Sequence, residues 1–129
     1  MGKIKLNTGE RVEIVNSDDE VMGYFYFNPA DLDILRRAKD VEKHLEALMK
    51  ETTDENQDEI NAKIIDEFEY LINDKTCSRV LFKYNTPLSI MANGQLYMLY
   101  VFEAIATYIE TVVTERADKM VSKYTADYE

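Results

Sequence analysis

Residues 95–123 read QLYMLYVFEAIATYIETVVTERADKMVSK, twenty-nine positions without a glycine or a proline. Nothing in the run stops a helix, and its apolar residues recur at helical spacing: Leu99, Phe102, Ala106, Ile109, Val113, Ala117, Met120 and Tyr124 follow gaps of three and four. Up to Val113 a second row, Val101, Ile105, Tyr108 and Val112, widens the stripe. Beyond Val113 only the narrow seam continues. A broad apolar face belongs to a core helix, whereas a narrow seam is what one helix shows another.

A helix of this length measures roughly 44 Å. A compact chain of 129 residues has a radius of gyration of about 14 Å, hence a diameter of roughly 36 Å. The end of the helix is therefore expected to overhang the body with Met120, Val121 and Tyr124 still on it. An apolar overhang calls for a partner or a second copy. The alternative is a helix that kinks or ends early and folds back on its own domain.

Upstream, the first 27 residues read as strands. Lys3-Ile4-Lys5-Leu6 alternates, Asn7-Thr8-Gly9 signals a turn, and Val12 and Ile14 alternate with Arg11 and Glu13. Asn16–Glu20 is a second polar break, and Val21–Phe27 forms a third strand. In that strand Tyr24 and Tyr26 point one way and Phe25 and Phe27 the other. The phenylalanines suit the core and the tyrosines a half-wet surface or an interface. Asn28-Pro29 then reads as a helix start, with Asp31 and Asp33 complementing the helix dipole.

The first helix is expected from Pro29 to about Glu51 on a stripe of Leu35, Ala38, Val41, Leu45 and Leu48. Asp54 with Gln57 has the pattern of a capping box. It opens a second helix to about Asn73, buried through Ile60, Ile64, Ile65, Phe68, Leu71 and Ile72. Residues 73–94 are irregular in tone. The expected fold is α+β and mostly α: a small antiparallel β-meander over 1–27, then a helical part over 28–129 with about three helices, the last one long, in a single domain.

The chain carries a net charge of −10, with 46% apolar and 31% charged residues, as soluble globular proteins do. Residues 54–76 hold two basic against eight acidic residues, so six of the ten excess charges fall in 23 positions. Such a chain repels nucleic acid and anionic membranes. No apolar run reaches the roughly 18 residues of a membrane span, and MGKIKLNTGERVE has no signal-peptide core. The single Cys77 excludes an internal disulfide and fits a reducing cytoplasm.

Catalytic and metal motifs are missing. His44 is the lone histidine, so no site with two or three histidines can form in one chain. A Cys77–His44 nucleophile pair lacks any supporting local motif, and a helix-face role for His44 is the simpler reading. Asp54-x-Asn56-x-Asp58 resembles the start of an EF-hand loop but has Glu59 at the position of the glycine and Ile65 at that of the closing glutamate. The four glycines make no phosphate cradle. The sequence reads as a non-enzyme, without cofactor or metal.

The segment KIKLNTGERVEIVN (3–16), the aromatic strand closing in GYFYFNPAD (23–31) and the charged helix after it resemble small phage proteins encoded among tail genes. FEYLINDKTCSRVLF (68–82), PLSI (87–90) and MLYVFEAIATYIE (98–110) resemble the same group. The chain looks like a member of the tail assembly chaperone family of long-tailed, siphovirus-type phages of Gram-positive bacteria. The resemblance implies a protein that coats the long helical tape measure protein in the host cytoplasm, keeps it soluble, helps recruit tail tube protein, and is absent from the finished virion. It also implies short and frameshift-extended forms; ending at TADYE, this chain has the look of a short one. It implies no catalytic residues.

The residues offer candidates for the two tasks such a protein has. The seam of Val113, Ala117, Met120, Val121 and Tyr124 suits helix packing, and Tyr24 with Tyr26 suits surface contact, for the tape measure or for self-association. Aspartate at Met120 and Tyr124 is expected to weaken assembly without unfolding the domain. The rival reading is an acidic phage-encoded inhibitor that mimics nucleic acid and presents residues 54–76 to a basic host protein.

Overall fold

The computed structural model describes residues 2–6 and 9–127, with side chains as far as Lys123. Two antiparallel strands, β1 (Glu10–Val15) and β2 (Val21–Phe27), form a hairpin. Four helices follow: α1 (Ile34–Glu51), α2 (Gln57–Ile72), the short α3 (Cys77–Leu81) and α4 (Tyr97–Asp127). The class is the expected one, a small N-terminal antiparallel sheet and then helices, the last long.

The hairpin turns on one side chain. Asn16 Oδ1 accepts the N–H groups of Asp18 and Glu20, which fixes the reversal and holds Asp19 at φ 61°. Alternation then sorts the aromatics: Phe25 and Phe27 are buried, while Tyr24 and Tyr26 are exposed on the opposite face, edge to face with each other, with the Arg11 guanidinium over the Tyr24 ring. At Gly23 the hairpin meets α3, for a Cβ there would lie 3.0 Å from a Val80 methyl.

Among the described residues the meander has one strand fewer than its sequence pattern implies. Lys3–Leu6 is exposed and outside the sheet. Four alternating residues supply little apolar area, and Ile4 and Leu6 stay largely exposed.

α1 begins at Ile34 rather than at Pro29. The expected N-cap, Asn28, and Asp31 form turns of their own ahead of the helix: Asn28 Oδ1 accepts from the Ala30 N–H, and Asp31 Oδ1 from the Asp33 N–H. Pro29 is buried in that turn. The later start moves the buried stripe to Ile34, Arg37, Val41, Leu45 and Leu48, and leaves Leu35 exposed. Arg37 is tolerated inside because its guanidinium donates to Asp31, Asp33 and the Leu71 carbonyl, one of the free carbonyls at the end of α2.

α2 buries Ile60, Ile64, Phe68, Leu71 and Ile72 as expected, with Ile65 half-buried. The Asp54–Gln57 capping box does not form. Asn56 closes the α1–α2 turn instead, accepting the Thr53 N–H and donating to the Glu51 carbonyl. Asn73 ends α2 in the left-handed conformation that residue tolerates.

The next connection contains α3, a helix absent from the sequence reading. Asp74 organises it. One carboxylate oxygen accepts the Thr76 N–H and hydroxyl; the other accepts the Tyr26 N–H, which ties β2 to the start of α3. Desolvation opposes ionisation at Asp74, but these three hydrogen bonds outweigh it and hold the carboxyl below its usual range.

α4 joins the core through an aromatic ladder. Phe68, Phe82 and Tyr97 meet edge to face at 5.2 and 6.0 Å, and the Tyr97 hydroxyl donates to the Leu81 carbonyl at 2.8 Å. Met98, Val101, Ile105 and Ile109 are buried, Phe27 packs on Tyr108, and Arg116 pairs with Glu10. That ion pair is the last described contact between α4 and the body.

Candidate binding surface

Among the described residues no three histidine, cysteine or acidic side chains converge on a point where a metal ion could sit. Cys77 and His44, the nucleophile pair considered from the sequence, are each engaged elsewhere. Cys77 is fully buried with its thiol against the Phe68 carbonyl, and burial, with Asp74 and Glu69 nearby, pushes its pKa up to about 12. His44 lies on the α1 surface, its Nδ1 2.8 Å from Glu67 Oε1 on α2. The structure thus gives His44 an inter-helix contact and leaves Cys77 a small apolar group of the core.

Among the described residues α4 contributes to two apolar surfaces. The first is a cleft of about 640 Å³ between the hairpin and the N-terminal half of α4. Val12, Ile14, Phe25 and Phe27 make one wall, Val101, Ile105 and Tyr108 the other, and Ile72 and Leu81 lie between them. Tyr84 and Tyr100 stand exposed at its rim, presenting hydroxyls beside an apolar interior. The size suits one or two large side chains of a partner rather than a whole helix.

The second surface is the free end of α4. Every described side chain from Thr114 to Lys123 is exposed, including Met120 at 57% and Val121 at 60%. Counted from Arg116 to Asp127, the projecting rod is about 16 Å long. The helix is unbroken to Asp127, and its described side chains beyond Val113 are open to solvent. The rod's sequence is compatible with a helix throughout: half of its residues are good helix formers and there is no glycine or proline.

The candidate residues separate accordingly. Ala117, Met120 and Val121 share the exposed rod, and Val113 is half-buried where the rod leaves the body. The side chain of Tyr124 lies outside the described part of the chain. Tyr24 and Tyr26 are exposed on the outer hairpin face, opposite the face that lines the cleft. The structure therefore joins four of the candidates on α4, three of them on its projecting end, and places the tyrosine pair elsewhere. Val12, Ile14, Tyr84 and Tyr100 escaped the sequence reading, because a cleft wall exists only once hairpin and α4 are docked.

The acids of residues 54–76 do not form a uniform array. Glu59 pairs with Lys63, Glu67 meets His44 and Glu69 accepts from Ser78, while Asp58 and Asp66 face solvent. Among the described residues no helix is long and apolar enough to cross a membrane. Comparison with protein-family models, with curated proteins and with solved structures returns no match to this chain.

Proposed function

We propose that this chain is a non-enzymatic holding protein for a long helical partner, the tape measure protein of a phage tail. In this reading it keeps that partner soluble in the host cytoplasm, helps bring tail tube protein to it, and is left out of the mature virion. The observation that carries the proposal is the projecting end of α4, which stays helical while Met120 and Val121 remain open to solvent. A seam of this width fits alongside one further helix. The nearby cleft adds room for anchoring side chains of the same partner.

The test is co-expression with a long helical segment of a tape measure protein, followed by purification at rising salt. The expected result is a soluble complex that survives 1 M salt, where screening leaves only about 3 Å of electrostatic reach and apolar packing persists. An insoluble segment regardless of co-expression counts against the proposal. Binding to a basic protein that collapses with added salt instead supports the nucleic-acid mimic.

A further inference from the structure

The hairpin has an open edge, and its hydrogen-bond phase can be read from one contact. The Tyr26 N–H donates to Asp74, so it points away from β1, and the facing pair Arg11–Tyr26 is a non-hydrogen-bonded one. The same phase turns the N–H and C=O groups of Arg11 and Glu13 outward along the free side of β1. Among the described residues no hydrogen bond reaches them there. The corresponding edge of β2 is covered at Tyr26 by Asp74, so β1 carries the open edge.

The same chain holds an unused strand. Lys3-Ile4-Lys5-Leu6 alternates cleanly, and its apolar members are 88% and 74% exposed at Ile4 and Leu6. Returning on its own β1 through the three residues between Leu6 and Glu10 sets Lys5 across from Arg11 and Leu6 across from Glu10. Both juxtapositions are poor: two like charges, and an apolar side chain against the carboxylate that pairs with Arg116. Shifting the register by two residues removes both faults. Lys5 then faces Glu13, Leu6 faces Val12 and Ile4 faces Ile14.

That better register is centred on Gly9, so exchanging two copies of the chain returns the same pairs. We propose that the N-terminal strand Lys3–Leu6 of one copy adds to the open β1 edge of a second copy, and reciprocally, in a closed two-fold dimer. The two hairpins fuse into a four-stranded antiparallel sheet in the order β2, β1, partner β1, partner β2. Ile4 and Leu6 fall on the inner face beside Val12 and Ile14, which extends the apolar wall of the cleft; Lys3 and Lys5 fall on the outer face, where Lys5 meets Glu13. Each isolated hairpin is a two-stranded sheet, the least self-sufficient kind, and fusion gives each strand its missing support. The closed symmetry also uses up both edges, so assembly stops at two copies. This contact is independent of the rod at the end of α4.

Cross-linking tests it directly. Leu6 and Val12 would form a non-hydrogen-bonded pair, whose Cα separation of about 4.5 Å suits a disulfide. An equal mixture of Leu6→Cys and Val12→Cys proteins is expected to give a disulfide-linked heterodimer under mild oxidation, and neither variant alone is. The result should persist with Met120→Asp/Val121→Asp in both proteins. Absence of the heterodimer, or its loss when the rod is altered, overturns the proposal. Charge reversal supplies a second readout by sedimentation equilibrium. Lys5→Glu and Glu13→Lys should each lower dimer association about tenfold, since each breaks two symmetry-related pairs, and the double variant should restore it. Equal association for all four proteins overturns the pairing.

Discussion

Replacing Phe68 by alanine is expected to lower the free energy of unfolding by about 4 kcal/mol. Phe68 is fully buried, and its contacts link α2 to α3 directly and to α4 through Phe82. Its ring stands edge to face on Phe82 at 5.2 Å, and Phe82 in turn meets Tyr97 at the start of α4. Its carbonyl accepts the Cys77 thiol at the start of α3. Truncation removes the ring, leaves a cavity at the meeting point of α2, α3 and α4, and ends the aromatic ladder. Domains of this size are stable by about 5–15 kcal/mol, so the loss is a large fraction of the total. Urea unfolding should show a lower midpoint with an unchanged slope. A loss under about 1 kcal/mol would mean that the helices do not meet around this ring.

Met120→Asp/Val121→Asp is the converse case. Both side chains are exposed, so stability should stay within about 0.5 kcal/mol of wild type. Affinity for the helical partner should fall about a hundredfold. Covering the exposed parts of a methionine and a valine is worth about 3 kcal/mol in total once the cost of burying two carboxylates is added, and 1.4 kcal/mol is a factor of ten. Calorimetric titration with a tape measure segment measures it. Unchanged affinity in a folded variant would show that the rod takes no part in binding.

How far the fold was legible depended on what each residue's role required. Periodicity alone located α2 and its buried face, because Ile60, Ile64, Phe68 and Leu71 have no competitors on the acidic side of that helix. It placed the tyrosines and phenylalanines of β2 on the correct faces, since strand alternation admits only two choices. In α1 it chose Leu35 where Ile34 is buried. Neighbouring apolar residues differ by only 100° around a helix, and the late start set by the Asn28 and Asp31 turns decided between them. In α4 the favoured row was Leu99–Phe102–Ala106, whereas Met98, Val101 and Ile105 are the more deeply buried residues. Both rows are apolar, and the docking of the hairpin selects one.

α3 was invisible for a related reason. Five residues give too little periodicity to detect, and the helix depends on Asp74, whose carboxylate answers both to Thr76 nearby and to Tyr26 forty-eight residues away. The projecting end of α4 was the reverse case. Length and unbroken helical sequence are local properties, so the overhang followed from comparing rod with body. The cleft, made by elements distant in sequence, had no local signature.

The end of α4 is a rod left uncovered by its own domain, and in the proposed function a partner helix covers it. Amide hydrogen exchange over residues 117–127, measured on the isolated chain and again with a tape measure segment bound, tests it most directly. The expected result is fast exchange in the isolated chain, well above that of α2, and marked slowing in the complex. Rod amides as slow as those around Phe68 in the isolated chain, with no change on adding the partner, would contradict it.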